Sequence, residues 1–188
     1  MSDRKQKIID AAQELLEERG YNGFSYADLE KALGIRKASI HHHFPKKDDL
    51  IAAILDKVAV LLQDKKITLA QCGGSAFEKI WQFLGGGCET SACSGRICTI
   101  TSLQHDFPQL SSELQKKLTE LCSFEVEIVA EILEDAKKRK KIEFAGPAID
   151  KARSVLVTAK GAMHYARIYG QPFVESIRKE LETGLAKP

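Results

Sequence analysis

GIRKASIHHHFPKKDDL, residues 34–50, sets three consecutive histidines between a short polar opening and a lysine pair. Adjacent histidines invite a metal reading, yet successive side chains on a helix point about 100° apart. His41 and His43 therefore face nearly opposite ways and cannot close on one ion. A helical zinc pair wants two histidines four residues apart on one face with a third ligand from elsewhere, and the three here are consecutive. No metal is expected, so the neighbours must account for the histidines. Ile40 and Phe44 stand four apart, the spacing of one helical face, and Pro45 ends the run.

Working outward, KASIHHHF (37–44) reads as two helical turns, with Ile40 and Phe44 inward and Lys37, Ser39, His41 and His42 outward. His43 lies nearer the buried side and reads as a packing residue. Upstream, SYADLEKALG (25–34) opens with Ser25 and Asp28 in capping-box relation, buries Ala27, Leu29 and Leu33, and stops at Gly34. Before it, IIDAAQELLEERG (8–20) puts Ile8, Ala11, Ala12, Leu15 and Leu16 on one stripe and ends at Gly20. Two short helices joined by a tight glycine-containing turn, with a longer helix in support, predict a helix-turn-helix whose second short helix enters the DNA major groove.

Composition permits this and excludes much else. The chain has 188 residues, 44% hydrophobic and 29% charged, enough for a substantial core and at most two small domains. A net charge of +2 announces no nucleic-acid binder, so a DNA surface must come from local clustering. No apolar run approaches a membrane span, and the opening MSDRKQKIIDAAQ is charged rather than signal-like, so a cytoplasmic protein with no membrane partner is expected. Five cysteines, an odd number in a reducing compartment, read as free thiols. Apolar residues recur at helical spacing almost throughout, so the expected fold is all-α, with about nine helices.

The run from Gly20 to Leu50 resembles the DNA-binding domain of the TetR family of bacterial repressors, whose members carry A-G-V-S-K-G-T-L-Y-H-H-F-x-S-K-E-x-L. Gly34, Ile35, Lys37, Ser39, Ile40, His42, Phe44, Lys47, Asp48 and Leu50 fit without a gap. His41 stands where the family usually has Tyr, Ala38 where Gly is common and Arg36 where Ser is common. The resemblance implies that the Tyr position touches a phosphate, which a histidine can do as donor. Arg36 adds a cation at the mouth of the helix, either solvated or placed to contact phosphate or guanine. Lys47, just after Pro45 at a helix start, is expected to clamp phosphate with Lys46 assisting; Ser25 and Tyr26, at the start of the second helix, are expected to hold phosphate across the groove. The expected DNA contacts are thus Ser25, Tyr26, Arg36, Lys37, Ala38, Ser39, His41, His42 and Lys47.

The remainder divides at residue 47: a helix-turn-helix DNA-binding domain over 1–47 and a helical regulatory and dimerisation domain over 48–188. DDLIAAILDKVAVLLQDK (48–65) is a long amphipathic connecting helix, and SAFEKIWQFL (75–84) is a helix broken by Gly85–Gly87. A further helix is expected from Ser112 to about Lys141, its KKRKK end (137–141) matching a helix C-terminus rather than a DNA patch. The last two helices hold Ala159, Gly161, Ala162 and Ala166, which permit close approach. They either close the monomer's core or, as the resemblance implies, pair with a second copy in a four-helix bundle, giving the homodimer that a palindromic operator needs.

The expected function is a DNA-binding transcriptional regulator, a repressor released from a palindromic double-stranded operator by a small-molecule inducer or a thiol-reactive signal. The contrasting reading, a cysteine- or histidine-dependent enzyme, finds no nucleophile elbow, phosphate loop or metal spacing, and no cofactor is implied. A family-like pocket would draw on Phe77, Trp81, Leu103, His105, Phe107, Phe124, Met163, His164 and Tyr165, each of which also suits an ordinary core. Cys88, Cys93 and Cys98, five residues apart, are the alternative sensor. SGRIC (94–98) resembles an S-G-C-L run in several relatives, but Arg96 occupies that cysteine's place. Arg96 would favour a thiolate at Cys93.

Overall fold

The computed structural model describes residues 3–84 and 97–185. Among them the regular structure is helical: α1 (Asp3–Arg19), α2 (Tyr26–Leu33), α3 (Lys37–His43), α4 (Lys47–Gln71), α5 (Ala76–Phe83), α6 (Thr99–His105), a 3-10 turn (Phe107–Gln109), α7 (Ser112–Lys138), α8 (Ala148–Tyr169) and α9 (Gln171–Leu185). The all-α expectation, nine helices among the described residues, matches this architecture. No helix among them is long and apolar enough to cross a membrane.

The chain forms two compact units, residues 3–61 with 97–121 and residues 62–84 with 122–185. The first is larger than the 47-residue domain read from the sequence, because α6 and the start of α7 pack with the N-terminal helices. Ile8, Ile9, Ala12, Leu15 and Leu16 form the buried stripe of α1, which ends where the Gly20 N–H donates to Leu16 O at 2.9 Å with φ +79°. That left-handed backbone explains why glycine stands there. At the start of α2 the Asp28 carboxylate accepts from the Ser25 N–H (2.8 Å) and hydroxyl (2.7 Å), an aspartate doing the work usual for glutamate. Those bonds hold the exposed Asp28 carboxyl below its ordinary range. Gly34, at φ +64°, closes α2 through its N–H to Glu30 O. Ile40 and Phe44 are buried as expected, but α2 buries Tyr26 and Leu29, while Ala27 is exposed.

The buried helix α6 lies along α1 on polar contacts. The Thr99 hydroxyl donates to Glu17 (2.6 Å) and accepts from Gln13 (3.0 Å), the Ser102 hydroxyl donates to Leu16 O (2.7 Å), and the Ile97 N–H donates to Glu17 O (3.1 Å). Buried hydroxyls need such partners, so this seam fixes the register of α6 on α1.

In the second unit Ser75 and Glu78 close a reciprocal capping box at the start of α5. The inward face of α8 is Ala152, Val155, Leu156, Ala159, Ala162 and Ala166, small enough for α9 to pack closely against it. Helix α7 ends at Lys138, three residues short of expectation, because Lys140 turns to φ +55° and the chain closes through Lys141 N–H to Ala136 O. The basic end is partly neutralised: Lys138 meets Glu134 and Arg139 meets Asp135, while Lys137 donates to Gly146 O and lies over the Phe144 ring.

Lys160 of α8 meets Glu125 of α7 at 2.5 Å, both largely buried. Removing one partner of such a pair strands the other charge. Lys160→Met is expected to lower unfolding free energy by roughly 3–5 kcal/mol in urea denaturation, and adding Glu125→Leu to recover part of that loss.

Candidate nucleic-acid interface

The exposed side of α3 carries Arg36 at its N-cap, then Lys37, Ala38, His41 and His42, with Ser39 half-buried beside them. Ile40 and Phe44 anchor the opposite side in the core. Two cations, two imidazoles and a methyl side chain on one face of a short helix can meet phosphates and base edges, with the imidazoles serving as donor or acceptor. The His41 ring rests against Tyr26 (centroids 4.7 Å apart), while His42 and His43 meet edge to face at 5.4 Å. Among the described residues no group of three or more His, Cys, Asp or Glu is placed to hold a metal.

Two expected phosphate contacts lie elsewhere. Tyr26 is buried, its hydroxyl 2.8 Å from both Phe44 O and Lys46 O and donating its one proton between them, so it ties the start of α2 to the end of α3. Burial, with help from Asp49 and Asp48, pushes its phenol up to about 12. Lys47 is turned inward. Its ammonium donates to Tyr21 O and to Phe24 O (2.6 Å), and it sits 4.8 and 4.1 Å from the Tyr21 and Phe24 ring centroids. Burial lowers its pKa, against the opposing pull of Asp106, Asp28 and Asp48. The clamp read from the sequence grips the protein's own α1–α2 loop, whose carbonyls outcompete solvent for the half-buried ammonium. Ser25 is exposed, with its hydroxyl proton given to Asp28.

Sequence reasoning missed the other side of that loop. Asp106 is buried and accepts from the Tyr21 N–H (2.9 Å) and the Asn22 amide (3.3 Å). The Tyr21 hydroxyl donates to Asp48 at 2.7 Å, and burial followed by that bond raises its phenol to about 12. A Cβ at Gly20 would sit 3.2 Å from Asp106 Oδ2, a second reason for glycine. Nothing in the local sequence of Asp106 signals this partnership, which spans 85 residues.

The sequence model of the family described as "Bacterial regulatory proteins, tetR family" matches residues 8–54, the α1-to-α4 segment that builds this face. The HTH-type transcriptional repressor NemR of Escherichia coli (strain K12) is 22% identical over 171 residues, covering 88% of this chain and 85% of NemR. A TetR-family regulator from Agrobacterium tumefaciens superposes with a TM-score of 0.90 at 24% identity, and a TetR regulator from Legionella pneumophila with 0.87 at 25%, each covering 98% of both chains. Residues 8–54 thus match the DNA-binding region of the TetR family, and the chain shares the fold of TetR-family regulators. It is a DNA-binding transcriptional regulator.

The resemblance implied an aromatic pocket, and the residues named for it are dispersed. Leu103 is fully buried in the first unit, where His105 and Phe107 are exposed. In the second unit Phe77 and Trp81 are buried and stacked (5.9 Å), capped by the Arg178 guanidinium at 6.0 and 5.8 Å. Phe124 and Met163 are half-buried, whereas His164 and Tyr165 are exposed on the side of α8 away from its buried alanines. That outward placement corrects their assignment to a pocket wall. A cavity of about 370 Å³ does open in this unit, between α4, α5 and α7, and none of the expected residues lines it. Cys88, Cys93 and Arg96 lie outside the described residues. Cys98 is exposed at the N-cap of α6, its sulfur 2.9 Å from Thr101 Oγ1.

The inward lysine and the outward one separate in experiment. Lys47→Ala leaves two carbonyls without their donor and is expected to cost about 1–3 kcal/mol of stability while leaving the salt slope of DNA binding parallel to wild type. Lys37→Ala is expected to leave the melting temperature within a degree or so and flatten that slope by about one ion. A flattened slope with an unchanged melting temperature for Lys47→Ala would return it to the phosphate contacts.

Proposed function

We propose that this regulator is a homodimeric repressor that binds a palindromic operator and leaves it when a small-molecule signal arrives. Each copy places α3 in the major groove of one half-site. Residues 1–47 supply the DNA contacts and residues 48–188 the dimer contacts and signal reception. The observation that carries this reading is the exposed row Arg36, Lys37, Ala38, His41 and His42 on a helix whose other side is locked by Ile40, Phe44 and the Tyr26 hydroxyl. The likeness to NemR, a repressor by its description, supports repression as the sense of regulation.

Support for the dimer comes from the outward face of α8. Val157, Tyr165, Ile168 and Tyr169 are 72%, 54%, 75% and 60% exposed. They recur at helical spacing, interrupted by Gly161, whose Cβ would meet nothing within 4 Å. The rings of Tyr165, Tyr169 and Phe173 stack in one cluster at 5.4–6.1 Å. An apolar row of this kind is costly in water and gains by meeting its own copy across a two-fold axis. Arg36 and Lys37 then fall in pairs on the two half-sites, about one turn of DNA apart.

Fluorescence anisotropy with palindromic duplexes from the region flanking the encoding gene is expected to show two protomers per duplex. Ile168→Glu with Tyr165→Glu is expected to yield a folded monomer by sedimentation, with operator affinity reduced at least about a hundredfold. A monomer that binds the palindrome as tightly as wild type would overturn the two-fold arrangement.

A further inference from the structure

We propose that the cavity bounded by the end of α4, the start of α5 and the C-terminal half of α7 is a binding site for a small amphipathic carboxylate, an apolar chain or ring bearing one negative charge. This deepens the ligand-released reading above by naming the chemistry of the ligand. The cavity holds about 370 Å³, within the range of small-molecule sites. It lies wholly within the second unit.

Its floor is apolar: Leu69, Ala76, Ile128 and Ala136 are buried beneath it. Its rim is charged and unbalanced. Lys66 is held by Glu131 at 2.6 Å and Arg139 by Asp135 at 3.0 Å, so those four neutralise one another. Lys79 and Lys141 also line the cavity, and neither ammonium group meets an ion-pair or hydrogen-bond partner among the described residues; their backbone N–H groups donate to Ser75 O and Ala136 O. Four cations therefore face two carboxylates around an apolar floor.

This asymmetry selects the ligand. An apolar body gains by covering the floor, and a carboxylate gains from two ammonium groups on flexible stems, which act as point charges and need no fixed bidentate geometry. A cationic ligand of the same shape meets uncompensated like charge, and a neutral one gains from the floor alone. Cys72, half-buried on the wall at the end of α4, reports occupancy directly.

The test uses the full-length protein with octanoate, 1-octanol and octylammonium as probes, read by calorimetry and by the rate at which iodoacetamide alkylates Cys72, followed by peptide mass spectrometry. Octanoate is expected to bind most tightly and to slow Cys72 alkylation. The Lys79→Gln/Lys141→Gln variant is expected to bind octanoate roughly three- to tenfold more weakly with octanol binding unmoved. Equal binding of octanoate and octylammonium overturns the site, as does octanoate binding that neither protects Cys72 nor responds to the lysine pair. Operator binding by the ligand-free protein is titrated separately: its absence overturns the repressor reading, whereas operator binding without any octanoate binding overturns this site alone.

Discussion

The loop from Gly20 to Phe24 is gripped from two sides by opposite charges, and the orientation of α3, the helix proposed to read DNA, depends on it. The Lys47 ammonium takes the carbonyls of Tyr21 and Phe24, while the Asp106 carboxylate takes the Tyr21 N–H and the Asn22 amide. Loop backbone buried without such partners would be costly, because each unpaired polar group keeps its full desolvation penalty. The loop leads straight into α2, and α2 turns at Gly34 into α3. Tyr26 closes the ring by tying α2 back to Phe44 and Lys46. The face proposed to meet DNA is thus positioned by side chains turned inward, away from it.

One of those positioning residues comes from far along the chain. Asp106 follows α6, which is bonded to α1 through Thr99, Ser102 and Ile97. Hydroxyl-to-carbonyl and hydroxyl-to-carboxylate bonds are directional, so α6 cannot slide along α1 without breaking them. An apolar α6 would have packed with less register. The first compact unit therefore contains both the helices proposed to read DNA and a segment that the sequence reading assigned to regulation, joined at the Gly20–Phe24 loop by Asp106.

Local signals were legible in the sequence and distant partnerships were not. The stripe of α1, the Ser25–Asp28 cap, the stops at Gly20 and Gly34, and the inward Ile40 and Phe44 all follow from short-range spacing. The directions of Tyr26 and Lys47 did not, since a phenol or an ammonium at a helix start suits either a phosphate or a buried carbonyl, and the loop geometry decides. Asp106 had no local signal at all. Among the residues named for a pocket, aromatic character did not separate buried Phe77 and Trp81 from exposed Tyr165, because an apolar row on a helix looks the same whether it faces a core or a partner. The cavity beside Lys79 and Lys141 is walled by three helices distant in sequence, so no single stretch announced it.

The most direct measurement is the salt dependence of operator affinity for Asp106→Ala beside wild type. If Asp106 sets the loop that positions α3, the variant binds more weakly at every salt concentration, by roughly three- to thirtyfold, on a line parallel to wild type, since no phosphate contact is lost. Affinity equal to wild type across the salt series would contradict the account.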